Sequence, residues 1–329
     1  MKIAIVKLSA LGDIIHSMVA LQFIKNHYPD SQIDWIVDEQ FESILENNPH
    51  ISQIHTVAFK KAKKEKSILL IFKELRKIRA LKHYDLVIDA QGLIKSAIVA
   101  KMMSSNKTVG FGRKSIREPL AAIFYNHKIS IGYDKNTIVR NIEVICSPLN
   151  IKVYAKDIID KKIFIYSSSD TKSHKESYIV FIIGSTWESR NYPKEKFVEI
   201  AIKLKIKCLV IWGSQKEREK AEWMAIQTEF IHIAPKLNLD ELKKVIRNSI
   251  LLIGNDTGPS HLAWGMNIPS IILFGPTPIS RVYQTRINRV IKSSSKVNHF
   301  NLDKNDLTIK EIKVDEIVKV SEELIKENI

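Results

Sequence analysis

Short apolar runs alternate with amphipathic stretches along most of the chain. Residues 2–7, 33–37, 54–57 and 85–89 read as strands, each too short and too uniformly apolar for a surface helix. Helical periodicity follows over 13–27, where Ile14, Met18, Leu21 and Ile24 recur on one face, then over 67–82 and 92–103. From about residue 150 to 177 the chain turns polar and loses its period, with Ser167-Ser168-Ser169-Asp170-Thr171-Lys172-Ser173 at its centre. Alternation then restarts, with strands at 178–183, 207–211, 250–253 and 270–274 and helices at 193–204, 215–226, 239–247, 258–266 and 314–327.

Strand–helix alternation in two blocks predicts an α/β fold of two Rossmann-like, doubly wound domains with largely parallel sheets. The expected boundaries are 1–160 for the first domain, 161–177 for a linker and 178–313 for the second domain. The last helix, 314–329, is free to pack back on the first domain. Two such domains lead us to expect a cleft, with ligands at the carboxyl ends of strands.

A length of 329 residues suits two domains, and 45% apolar with 26% charged residues suits folded cores under a soluble surface rather than disorder. Lys7, Asp13 and His16 break up the apolar N-terminus, so no secretory leader is expected there. No run approaches the roughly 18 apolar residues of a membrane span. Cys146 and Cys208 stand alone, so core thiols in a reducing cytoplasm are expected rather than a disulfide or zinc site. The net charge of +15 favours anionic partners, although a Lys-rich codon preference accounts for it equally well.

Three strand–helix junctions carry candidate chemistry. In Gly254-Asn255-Asp256-Thr257-Gly258-Pro259-Ser260-His261, a strand enters a glycine turn and a helix. The Thr257 and Gly258 amides would face a diphosphate at the positive helix end, and Pro259 needs no donor there. A structural turn capped by Asp256 explains the same residues. Gly184-Ser185-Thr186 with Arg190 repeats the arrangement, hydroxyls and a cation suiting phosphate oxygens; alone it is also a plain solvated loop. Neither matches a P-loop or dinucleotide fingerprint. In Ser9-Ala10-Leu11-Gly12-Asp13, Asp13 is placed either to serve as a general base at the mouth of the cleft or simply to favour the helix dipole. Between residues 59 and 82 lie ten Lys and Arg, the dense part at Lys60, Lys61, Lys63, Lys64 and Lys66 preceding a helix. That run is either a solvated face or a dock for a polyanion. No Asp-x-Asp pair occurs and the ten His are dispersed, so no metal site is expected.

Taken together, Val6-Lys7-Leu8-Ser9-Ala10-Leu11-Gly12-Asp13, Asp89-Ala90-Gln91-Gly92-Leu93-Ile94-Lys95-Ser96, Arg117-Glu118-Pro119-Leu120, Phe124-Tyr125-Asn126, residues 256–261 and Phe274-Gly275-Pro276-Thr277 resemble the lipopolysaccharide heptosyltransferases of glycosyltransferase family 9. The resemblance implies the GT-B fold and a one-step inverting transfer. It implies ADP-heptose as donor and Kdo of Kdo2-lipid A as acceptor, at the inner face of the cytoplasmic membrane, where the protein would be peripheral. It makes Asp13 the base and assigns donor contacts to Ser185, Thr186, Arg190, Glu217, Asp256, Thr257, Gly258 and His261, with Leu237 beside adenine. Acceptor contacts fall on Lys60, Lys61, Lys63, Lys64 and Arg117. No cofactor is required on this resemblance, which leaves a loosely bound divalent cation open. This chain departs from the family in having Ser185 where Thr is common, Arg190 where Lys is common, and lysines where several Arg are usual; a lysine keeps the charge but loses the bidentate fork. The competing readings are a heptosyltransferase extending a phosphorylated core sugar, a nucleotide-sugar epimerase that would leave the lysine run without a task, and, last, a nucleic-acid binder. The last lacks an aromatic platform or a known binding signature.

Overall fold

The computed structural model describes residues 1–168, 177–298 and 301–328. It forms two compact units, Met1–Ile165 and Tyr166–Ile329. The first unit keeps residues 161–165, which the expected boundary assigned to the linker, because Phe164 and Ile165 are buried in it. The polar run at the centre of that linker lies, from residue 169 to 176, outside the described residues.

The first unit holds β1 (Lys2–Val6), β2 (Gln32–Asp38), β3 (Gln53–Val57), β4 (Tyr84–Asp89), β5 (Ser105–Phe111) and β6 (His127–Ile129). They form one sheet in the order β3-β2-β1-β4-β5-β6, with every neighbouring pair parallel. The second unit holds β7 (Ile179–Ile182), β8 (Cys208–Ile211), β9 (Ile231–Ile233), β10 (Leu251–Asn255), β11 (Ser270–Phe274) and β12 (Asn288–Lys292). Its order, β12-β11-β10-β7-β8-β9, is the same winding repeated, again wholly parallel. Parallel strands need helical crossovers that cover both faces, so β1, β7, β10 and β11 are buried almost throughout, as unbroken apolar runs must be. In each sheet the winding reverses once, between β1 and β4 and between β10 and β7. At such a point the chains leaving neighbouring strands diverge and open a crevice at their carboxyl ends.

Several elements depart from the sequence reading. β5, β6, β9, β12 and the helix Thr137–Cys146 are additional. β6 and β9 are three-residue edge strands, and the polar start of β5 hides its buried second half. The helix Thr137–Cys146 is announced by Asn136, whose side chain accepts from the Ile138 and Val139 amides at 2.8 and 3.3 Å. The helix expected over 13–27 is two, Leu11–Met18 and Ala20–His27. The lysine run itself forms a short helix, Phe59–Lys64, rather than only preceding one. Ala62 anchors that helix in the core, and the Lys60 amide donates to Asp38 Oδ2 at 3.0 Å. The last helix, Val314–Asn328, packs on the helix Lys194–Leu204, and Val314, Ile317 and Leu324 lie in the second unit's core. Cys146 and Cys208 are buried free thiols, pushed up to about 12 by burial.

Candidate functional site

In the second unit the candidate donor residues sit on loops leaving the carboxyl ends of adjacent strands. Residues 184–190 follow β7, the Gly213–Glu217 corner follows β8, Leu237 follows β9, and residues 256–261 follow β10. The β7 and β10 loops therefore flank the reversal point of the sheet. Gly254, near the end of β10, is required by packing: a Cβ there would come within 2.7 Å of Ile182 Cβ and 2.9 Å of Ser260 Oγ.

Asp256 and Arg190 tie these two loops together. Arg190 Nη2 donates to Asp256 Oδ2 at 2.8 Å and also to the Asp256 carbonyl. Thr277, after β11, donates to the same carboxylate oxygen at 2.9 Å, and His261 Nε2 lies 3.3 Å from Oδ1. Asp256 is 1% exposed. Burial alone would raise its pKa, but the His261 hydrogen bond and the charges of Arg190, His261 and Arg281 outweigh it and hold the carboxyl well below the usual range. The buried Arg190 guanidinium is itself lowered by desolvation, with Asp256 opposing. Both carboxylate oxygens are engaged, so Asp256 ties the loops after β7, β10 and β11 together.

What the loops leave open suits phosphate. Ser185 Oγ is buried with no partner among the described residues, Arg190 Nε is likewise unpaired, and Thr186 is exposed. Thr257 and Gly258 open the 3-10 turn Gly258–Ser260, which runs into the short helix His261–Gly265. The first amides of such a segment have no carbonyl behind them. Asn255 braces the turn from within: its amide donates to the Ile183 carbonyl at 2.8 Å and its oxygen accepts from the Tyr192 amide at 3.0 Å. Glu217 serves two ends. Its Oε2 caps the helix Gln215–Gln227 by accepting from the Gly213 and Ser214 amides at 2.6 and 3.2 Å, while Oε1 lies against Gly184, where a Cβ would overlap it. Trp212, between the Lys236 and Arg218 cations, donates to the Ala234 carbonyl at 2.7 Å and holds the segment leading to the half-buried Leu237.

The first unit gathers its candidates at the same edge of its own sheet. Asp13 follows β1, the Phe59–Lys64 helix follows β3, and Arg117 follows β5. Asp13 is exposed in the first turn of Leu11–Met18 and accepts weakly from the Ala10 amide at 3.4 Å. The loop that presents it is fixed by Gln91, whose Oε1 accepts from the Leu8 and Ser9 amides at 2.7 and 3.2 Å. Gln91 is held in turn by Asp89, fully buried, which also accepts from Ser96 at 2.8 Å and Tyr125 at 2.6 Å. Burial raises Asp89, with those hydrogen bonds opposing. Lys7, buried, donates to the Ala90 carbonyl at 2.8 Å; desolvation lowers its pKa while the charges of Asp13 and Asp89 oppose. Lys60, Lys61, Lys63, Lys64 and Arg117 are all exposed.

Sequence reasoning missed the supporting residues Gln91, Asn255 and Thr277. Gln91 and Thr277 lay inside segments noted only for their resemblance and Asn255 inside the junction read for phosphate; the signal was a polar residue at the end of an apolar strand or within three residues of it. Among the described residues no group of three or more His, Cys, Asp or Glu is placed to hold a metal ion.

The family model of glycosyltransferase family 9 (heptosyltransferase) matches residues 71–308. The lipopolysaccharide heptosyltransferase 1 of Campylobacter coli is 40% identical, over 98% of this chain and 99% of its own. The Escherichia coli K12 enzyme of that name is 28% identical, over 92% of this chain and 97% of its own. Among solved structures, the E. coli heptosyltransferase WaaC with ADP aligns with a TM-score of 0.82 at 26% identity, over 98% of this chain and 100% of that one. The same enzyme with ADP-2-deoxy-2-fluoro heptose aligns with a TM-score of 0.78 at 27% identity, over the whole of both chains.

Proposed function

As the chain belongs to glycosyltransferase family 9 and has the GT-B fold, we propose that it is the heptosyltransferase that moves heptose from ADP-heptose to Kdo of Kdo2-lipid A in building the lipopolysaccharide inner core. The observation that carries this reading is the pair of loops flanking the sheet reversal of the second unit, which Asp256 and Arg190 bind into one anion-accepting turn.

The chemistry follows from the groups present. Asp13 takes the proton of a Kdo hydroxyl as its oxygen attacks the anomeric carbon of heptose from the face opposite ADP. One base and one stabilised leaving group suffice for inversion in a single step. Charge growing on the departing diphosphate is met by the Thr257 and Gly258 amides, the Ser185 and Thr186 hydroxyls and the free side of Arg190. Glu217 Oε1 faces the ribose, Leu237 flanks adenine, and His261 lies by the heptose. The scheme needs no resident metal. The exposed Lys60, Lys61, Lys63, Lys64 and Arg117 meet the phosphates and carboxylates of the acceptor. Among the described residues no helix is long and apolar enough to cross a membrane, and on this reading the enzyme works peripherally at the cytoplasmic face of the inner membrane. An epimerase acting on the donor alone is disfavoured by family membership and has no use for this basic edge. Nucleic acid is not a partner in this account.

Asp13→Asn tests the assignment, because it removes the base and nearly keeps its shape. Turnover should fall by about 10²–10⁴ with ADP affinity unchanged, measured by ADP release and by titration calorimetry. Turnover near that of the unaltered enzyme would overturn it.

A further inference from the structure

One edge of the first unit carries large apolar side chains that its core does not use. On the helix Ile68–Arg79 the packed residues are Glu74, Leu75 and Ile78, whereas Ile68, Leu69 and Phe72 are 69, 80 and 66% exposed. Their spacing of three and four sets them on one side of the helix. Leu120 and Ile123, 58 and 65% exposed, extend from the 3-10 segment Pro119–Phe124. That segment packs on the helix Ile94–Met102, which packs on Ile68–Arg79, and Glu118 accepts from the Ile94 amide at 2.8 Å. The Ile94–Met102 and Pro119–Phe124 segments follow the carboxyl ends of β4 and β5, and Ile68–Arg79 follows β3 by way of the lysine helix. The apolar side chains therefore share the edge of Asp13, beside Lys60, Lys61, Lys63, Lys64, Lys66 and Arg117.

We propose that this edge rests on an anionic phospholipid surface, with Leu69 and Phe72 entering the boundary between headgroups and acyl chains and the lysines lying over lipid phosphates. Contiguous exposed apolar side chains mark an interaction surface, and a basic rim beside them fits a negatively charged bilayer. A second copy of the chain fits poorly, because a two-fold interface would set one lysine helix against the other. The proposal deepens, and rests on, the reading that the acceptor is carried in lipid: the surface that holds the membrane is the edge that presents the base.

The test is flotation with vesicles of phosphatidylethanolamine and phosphatidylglycerol, with phosphatidylcholine vesicles beside them and no acceptor present. The full chain should bind the anionic vesicles in a salt-sensitive way. Leu69→Ser with Phe72→Ser should weaken that binding by about tenfold or more. Ile226→Ser, at an 82% exposed position of the second unit, should leave it unchanged. Transfer from ADP-heptose to a water-soluble Kdo acceptor should be equal in the double variant and the unaltered enzyme. Failure of the unaltered enzyme to bind anionic vesicles, or binding by the double variant within about twofold of it, overturns the docking face. So does a dimer in light scattering that the double variant abolishes. Vesicle binding as expected with no transfer to any Kdo acceptor keeps the docking face and removes the acceptor reading instead.

Discussion

At the scale of single residues, Asp256 shows how a functional loop is held by a charge that a ligand need not touch. Its carboxylate collects Arg190, Thr277 and His261 in a site closed to water. Asp256→Asn would leave Arg190 buried without its counter-charge, and should destabilise the protein by about 3–5 kcal/mol in thermal or denaturant unfolding. The pH dependence has a fixed sign. Because the folded-state pKa lies below the ordinary value, the carboxylate's stabilisation is fully present above about pH 4 and drains away as pH falls through and below that value. The thermal midpoint of the unaltered protein should therefore fall more steeply than the variant's between about pH 5 and 3. Parallel curves would contradict the organising role. Little of this was legible in the sequence, where Asp256 reads equally as a helix cap or a ligand: His261 is near in the chain, but Thr277 comes from 21 positions ahead and Arg190 from 66 behind.

At the scale of elements, the long apolar strands were legible because burial on both faces leaves no polar alternation to confuse them, and β1, β7, β10 and β11 stand close to where periodicity sets them. Edge strands and the lysine helix were not, because three half-exposed residues or a single buried alanine give no period to read. Loop-to-loop contacts were equally hidden. Gly184 is an example: the sequence drew attention to the hydroxyls and the cation that follow it, whereas in the fold its missing side chain makes room for Glu217. Gly184→Ala should push Glu217 out, weaken its capping of Gln215–Gln227 by about 1 kcal/mol and raise KM for the donor roughly tenfold with kcat little changed. Unaltered stability and KM would show that Glu217 has room to move and that the contact is incidental.

At the scale of the molecule, two copies of one winding place every candidate residue at a carboxyl edge, so strand–helix alternation alone located the chemistry to one end of each sheet. The excess positive charge acquired meaning only once Lys60, Lys61, Lys63 and Lys64 proved to share an edge with Asp13; as composition it had fitted a codon preference as well. The identity of the sugar was not readable from charge or period and comes from the family. The central claim is therefore best tested on the product itself. Purified protein is incubated with ADP-heptose and, separately, Kdo2-lipid A or its heptosylated product, and the lipids are analysed by mass spectrometry. The account predicts a gain of one heptosyl unit on Kdo2-lipid A, with ADP released in equal amount. Heptose added only to the already heptosylated lipid, or ADP-heptose consumed with neither lipid changed, would contradict it.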